Sequence, residues 1–194
     1  MNSIVRNLTV ERDAPSLAFR GAMRSLAGGV SVITAGRGQD ITGMTVTSVS
    51  SLSVEPPTLI VSVNRQSSTW PLLQRYGAFG VNILSADQVE LAERFSGKGG
   101  LKGVQRFSGA SWVTRSTGVP LLSGALAAID CEVEEIIERH SHAIVIGRVR
   151  DVVTSAPHTA LTYWDGQYVA IDQNEDNLKL AEVSLPTPRA LREI

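Results

Sequence analysis

The sequence predicts a mainly β protein with short helices, an antiparallel β-barrel forming one domain. Three observations carry that expectation. Apolar runs of strand character recur at 30–35, 58–63, 79–83, 125–137 and 143–153, with turn residues between them. Helical patterns are few and short, and no βαβ unit surrounds the glycines of Gly36-x-Gly38. Finally, 194 residues at 43% hydrophobic and 19% charged content suffice for one sizeable core, too few for two ordinary domains.

Residues 1–13 read as a loose arm, 14–172 as the domain and 173–194 as a tail with little periodicity. A first amphipathic helix puts Phe19, Met23 and Leu26 on one face, with Ser16 as N-cap, and stops near Gly28-Gly29. The β-branched stretch 30–35 then forms a hairpin across the turn residues of 36–40. Its second arm leads into 43–53, which carries more hydroxyls than a core strand needs and reads as a surface built for hydrogen bonding. The strand 58–63 is apolar on both faces and suits the centre of a barrel; a helix follows with Pro71 in its first turn. Phe79, Val81 and Ile83 alternate as a strand, and Ser85 with Gln88 forms a capping box for a short helix carrying Val89, Leu91, Ala92 and Phe95. The glycine- and serine-rich stretch 97–124 reads as loop, where functional segments tend to lie. Two further strands follow, then an Asp165-Gly166 turn between aromatic residues.

A second hydroxyl cluster, Ser67-Ser68-Thr69, stands at the start of the helix that contains Pro71. Unpaired N–H groups and the positive end of the helix dipole make such a place fit for a phosphate, although the same residues also satisfy the requirements of a plain N-cap. Together the two clusters point to a phosphorylated, amide-rich ligand.

Other classes are disfavoured. Eighteen Lys and Arg against nineteen Asp and Glu, a net charge of -1 and no basic block argue against nucleic acid. No apolar stretch has bilayer-spanning length and the N-terminus lacks a signal-peptide core, so a cytoplasmic protein is expected. The single Cys131, on the apolar side of an alternating segment, is a buried thiol suited to a reducing compartment; nothing around it has metal-ligand spacing. Gly97-Lys98-Gly99-Gly100 lacks the Ser or Thr of a phosphate loop.

The order of several pieces is more specific. Phe19-Arg20, Gly29-Val30-Ser31-Val32-Ile33-Thr34, the 43–53 segment, Pro56-Pro57-Thr58-Leu59, Val61-Ser62-Val63-Asn64 with Ser67-Ser68-Thr69, Phe79-Gly80-Val81-Asn82, Leu91-Ala92-Glu93-Arg94-Phe95-Ser96-Gly97 and Gly118-Val119-Pro120 follow one another at set spacing. In this the chain resembles the flavin reductase family with an FMN-binding split barrel, NAD(P)H-dependent reductases that supply reduced flavin to two-component monooxygenases. The resemblance implies a Greek-key split barrel, FMN or FAD as cofactor, NADH or NADPH as co-substrate, a homodimer and a partner oxygenase. By it, Thr45, Val46, Thr47 and Ser48 line the isoalloxazine. Ser50, Ser51 and the run Ser62, Val63, Asn64, Arg65, Ser67, Ser68 and Thr69 hold the ribityl chain and phosphate, and Phe95, Ser96 and Lys98 close over the cofactor. His142 takes the place of the family histidine near the nicotinamide, with Ser141 where the family has an acidic residue; Tyr163 and Tyr168 shape the same side. His140 and His158 are expected to be ordinary structural or surface residues. Since Arg65 is the only cation between Val61 and Trp70, flavin is expected to bind reversibly. The runner-up is a split-barrel flavin or haem carrier or sensor that oxidises no nicotinamide.

Overall fold

A computed structural model describes residues 10–155 and 159–172. His158, the start of the expected arm and the tail from 173 lie outside the described residues. Helix α1 (Val10–Arg24) begins well before Ser16, which therefore lies within the helix rather than at its N-cap. Phe19 and Met23 lie in α1 but Leu26, expected on the same helical face, lies past its end, and all three are exposed, Phe19 and Leu26 each at 65%.

Strand β1 (Gly28–Gly29) is followed by the predicted hairpin of β2 (Ser31–Arg37) and β3 (Asp40–Val46). Gly36 makes this turn possible: its φ is +97°, and a Cβ there would lie 1.9 Å from the Asp40 carbonyl oxygen. Next come β4 (Ser50–Val54), β5 (Pro57–Asn64), α2 (Thr69–Tyr76), β6 (Ala78–Ile83) and α3 (Val89–Phe95). The reciprocal bond of the predicted capping box is present, with Ser85 N–H donating to Gln88 Oε1 at 3.1 Å, though it closes a 3-10 turn over Ala86–Gln88 that runs on into α3. Within the stretch expected as loop lie a second 3-10 turn (Gly103–Phe107) and a small hairpin of β7 (Trp112–Thr114) and β8 (Pro120–Leu122). The long hairpin β9 (Ala127–Arg139) and β10 (His142–Thr154) and the short one of β11 (Ala160–Trp164) and β12 (Gln167–Ile171) complete the order. Asp165 and Gly166 have φ of +46° and +82°, the positive pair an Asp-Gly hairpin turn requires.

One antiparallel sheet has the order β3-β2-β6-β9-β10-β5-β4. Its two edges, β3 and β4, are consecutive in sequence, joined only by Thr47, Ser48 and Val49. Such a link spans at most ~14 Å, whereas seven flat strands would hold their edges roughly 29 Å apart. The sheet must therefore curl until the edges face each other. The result is a split antiparallel barrel, the fold class the sequence predicted, and the hydroxyl-rich segment is not one strand but the seam of that barrel.

The interior is filled by Ile33, Val61, Val63, Phe79, Val81, Cys131, Ala143 and Val145, with Trp70 and Leu73 of α2 joining the same cluster. A second cluster unites Val30, Val32, Leu84, Leu91, Phe95, Phe107 and Leu161. β2 contributes to both, which explains why its residues from Ser31 to Gly36 are all buried.

Candidate functional site

The seam opens onto a cavity of about 770 Å³, within the range that takes organic ligands. Its floor is the end of β3 and the link after it, Met44 to Ser48, with Ser62 of β5 alongside. Two bonds pin the link: Ser48 Oγ donates to the Ser62 carbonyl at 3.0 Å and accepts from Ser62 N–H at 3.3 Å. Thr45 Oγ1 donates to the Ala92 carbonyl at 2.6 Å, tying β3 to α3. The hydroxyls of Thr45 and Ser48 are thus engaged within the protein. By contrast, the backbone N–H groups of Thr47, Ser48 and Val49, beyond the last ladder pair of β3, have no partner among the described residues.

Ser96 and Lys98 form one rim. Ser96 Oγ donates to the Glu93 carbonyl at 2.7 Å, and Lys98 Nζ pairs with Glu93 Oε1 at 2.6 Å. Behind them Phe95 is 1% exposed and packs against Gly43, Phe107 and Trp112; it holds the loop without lining the cavity. The opposite rim is the β11–β12 turn, where the Tyr163 and Tyr168 rings meet edge to face at 5.2 Å. Burial, then the nearby Glu93 carboxylate and Tyr163, push the Tyr168 hydroxyl above its usual pKa, so it stays protonated at neutral pH. His142, first residue of β10, completes the wall, its Nδ1 2.9 Å from Ser141 Oγ.

Residues 23–172 match the family described as flavin reductase like domain. The chain belongs to the flavin reductase-like family. It is 34% identical over 156 residues to an FMN reductase (NADH) RutF of Cronobacter turicensis, spanning 80% of this chain and 93% of that protein. Among solved structures it is similar to BorF, the flavin reductase component of a bacterial two-component tryptophan halogenase, at 31% identity and TM-score 0.75, covering 81% of this chain and 99% of BorF. It is also similar to the NADH:FAD oxidoreductase SgcE6 of Streptomyces globisporus in complex with NAD and FAD fragments, at 26% identity and TM-score 0.73, covering 82% and 94%.

In this flavin reductase-family chain the cavity gathers ten of the residues expected at the site: Thr45, Val46, Thr47, Ser48, Ser62, Ser96, Lys98, His142, Tyr163 and Tyr168. Ser50, Ser51, Val63, Asn64, Arg65, Ser67, Ser68 and Thr69 do not line it. Val63 is in the barrel core. Arg65 turns away, pairing with Glu138 at 2.6 Å and donating to the His140 carbonyl at 3.1 Å. Ser68 occupies the N-cap position of α2 but makes no capping bond; its hydroxyl lies 3.0 Å from that of Thr42. Val30, Met44, Glu93, Gly166 and Gln167 line the cavity without having been singled out by sequence. Glu93 had a readable signal, lying five positions before Lys98 on the helix that precedes the loop.

Proposed function

We propose that this chain is an NAD(P)H-dependent flavin reductase whose seam cavity holds the isoalloxazine and admits the nicotinamide beside it. The unpaired N–H groups of Thr47 and Ser48 at the cavity, with that of Val49 next in the chain, carry the proposal: consecutive neutral donors beside the apolar Val30, Met44 and Val46 suit the carbonyl and imide edge of a flavin ring. Val30, Met44 and Val46 offer apolar contact to its faces. When bound, the flavin supplies a ring nitrogen, N5, that accepts the hydride delivered from C4 of a reduced nicotinamide. The protein's part is orientation. Ser141 occupies Nδ1 of His142 and leaves Nε2 to meet the nicotinamide, while Tyr163 and the protonated Tyr168 shield that side from water.

For the ribityl chain and phosphate we assign Ser50, Ser51 and the turn 62–69. Support comes from Ser67 Oγ and Thr69 Oγ1, buried hydroxyls with no partner among the described residues; a buried polar atom of that kind calls for a ligand or an ordered water. Both flavin classes occur among the relatives, FMN in the RutF protein and FAD in SgcE6, and NADH in both. Delivery of reduced flavin to a partner monooxygenase is the role that the styrene monooxygenase flavin reductase suggests, and BorF, which serves a tryptophan halogenase, suggests delivery to a second component more generally. No helix among the described residues is long and apolar enough to cross a membrane, and we place the protein in the cytoplasm, where the unpaired thiol of Cys131 stays reduced. A homodimer is proposed through edge strand β4, where Leu52 and Val54 are 53% and 85% exposed; light scattering on the purified chain tests it.

One cuvette tests the activity. Protein, FMN or FAD, and NADH are mixed and NADH absorbance is followed. Oxidation that needs both protein and flavin is expected. Flavin bound tightly with NADH untouched would instead identify a carrier.

A further inference from the structure

At the far end of β10 lies a second cavity of about 520 Å³, walled by Arg37, Tyr76, Ser116, Thr117, Glu132 and Arg150. It shares no lining residue with the seam cavity. Arg150 is eight residues along β10 from His142, so the two sites stand roughly 26 Å apart along the strand. The walls are polar and organised. Asp130, fully buried, accepts from Thr117 N–H at 2.8 Å and from the Thr117 hydroxyl, which fixes the turn presenting Ser116.

Arg37 differs from the other arginines nearby. Arg75 and Arg148 each hold a carboxylate, Asp40 at 2.8 Å and Glu134 at 3.0 Å. Arg37 has no carboxylate partner among the described residues, because Asp40, its cross-strand neighbour, is taken by Arg75 and by Tyr76 Oη at 2.9 Å. Its guanidinium is instead held over the Tyr76 ring, 5.7 Å from the centroid, with Gly118 against its stem. Arg150 reaches a single oxygen of Glu132 through Nε at 2.7 Å and Nη2, leaving Nη1 uncommitted. One carboxylate-free guanidinium fork, that of Arg37, and one uncommitted nitrogen of Arg150 thus face the same cavity.

We propose that this cavity binds a small oxyanion, the phosphate or carboxylate group of a metabolite, with Arg37 as the principal ligand and Arg150 Nη1 and Ser116 Oγ as its companions. The guanidinium fork matches both anions, and a ring-stacked Arg37 loses little freedom on binding. The site is independent of flavin binding and of the activity proposed above.

The test is calorimetric titration of the full chain with inorganic phosphate and, separately, malonate, at ionic strength held constant with sodium chloride. Saturable binding of at least one anion is expected, and which of them binds separates a phosphate ligand from a carboxylate one. Arg37→Ala should weaken it tenfold or more, and Arg37→Lys, which keeps the charge and loses the fork, several-fold. Lys98→Ala, at the seam cavity, should leave it unchanged. Circular dichroism confirms that each variant is folded, and Arg37→Lys carries the test should Arg37→Ala not fold. Absence of saturable binding for both anions would overturn the proposal. So would equal affinity in the wild type and the Arg37 variants, or an effect confined to Lys98→Ala.

Discussion

Gly43 is where the barrel and the cavity rim press on each other, and Gly43→Ala separates their contributions. A Cβ at this position would lie 2.6 Å from the Ile33 carbonyl oxygen and 2.7 and 2.9 Å from Cε1 and Cδ1 of Phe95. The first obstacle is strand backbone. The second is a ring 1% exposed, with Phe107 and Trp112 at centroid distances of 5.1 and 5.7 Å behind it. Overpacking of this kind costs about 1–3 kcal/mol, and at 2–4 °C per kcal/mol for a domain of this size Tm falls by about 2–12 °C. Restoring ordinary contact requires Phe95 to retreat by ~1 Å. Phe95 ends α3, and Ser96 and Lys98 follow it at the cavity, so the rim moves too. Losing one rim hydrogen bond, ~1 kcal/mol, raises the flavin Kd about fivefold. Thermal unfolding of the free protein and quenching of flavin fluorescence read the two effects separately. A variant that melts within 1 °C of wild type (a margin of about 0.5 kcal/mol or less) would show that the contact is slack. One that is destabilised yet binds flavin with unchanged affinity would show that Phe95 does not position the rim.

Thr45→Val deletes the bond to the Ala92 carbonyl and should cost about 1 kcal/mol in urea unfolding while weakening flavin binding, since α3 is then held to β3 only by packing and by Arg106, which bridges the Gly43 and Phe95 carbonyls. His142→Ala should lower kcat/KM for NADH roughly tenfold with flavin Kd little changed, and Ser141→Ala should do the same to a smaller degree; an equal loss in flavin affinity would place His142 on the wrong side of the cavity. Cys131 is fully buried, and burial followed by the neighbouring Asp130 pushes its thiol from 9.0 to about 12. It should resist thiol reagents in the native protein and react on unfolding. Because its folded pKa is the higher one, its share of stability is complete below pH 9 and is lost as pH rises through about 12; unfolding free energies that do not decline over this alkaline window would contradict the burial.

The legible parts of the sequence were those governed by local chemistry. Gly36 and the Asp165-Gly166 pair demand positive φ, so both hairpins could be placed from the turns alone. The period-2 run at 143–153 marked a strand because one face of it is buried, whereas the run at 79–83, expected to bury one face, is central and buried on both. Closure is different: that Thr47 to Val49 bridge two sheet edges follows only from a strand order no local pattern contains. For the same reason Ser67 to Thr69 and Ser48, alike as hydroxyl clusters, occupy different environments. Glu93 and Gln167 became cavity residues because α3 and the β11–β12 turn converge there from distant parts of the chain. The early start of α1 was hidden by Ser16, a good cap that an existing helix simply runs through.

Charge bears on how the proposed site would hold a flavin and still release it. Arg65, the cation expected near the phosphate, is committed to Glu138, and Lys98, expected to close over the cofactor, is committed to Glu93. An incoming phosphate must therefore compete with a carboxylate for either one, and each of these exposed pairs is worth only about 0–1 kcal/mol. Exchange is cheap in both directions, so the charges confer little net affinity. What remains is neutral: backbone donors along the seam, hydroxyls of the 62–69 turn, and apolar contact from Val30, Met44 and Val46. Such a set orients a planar ring well because each donor is fixed by the strand it belongs to. Reversible binding is the expected outcome, because each donor exchanges one hydrogen bond to water for one to ligand. The delivery role proposed above calls for that combination, orientation during the encounter and easy departure after it. A free arginine at the phosphate would have worked against the departure.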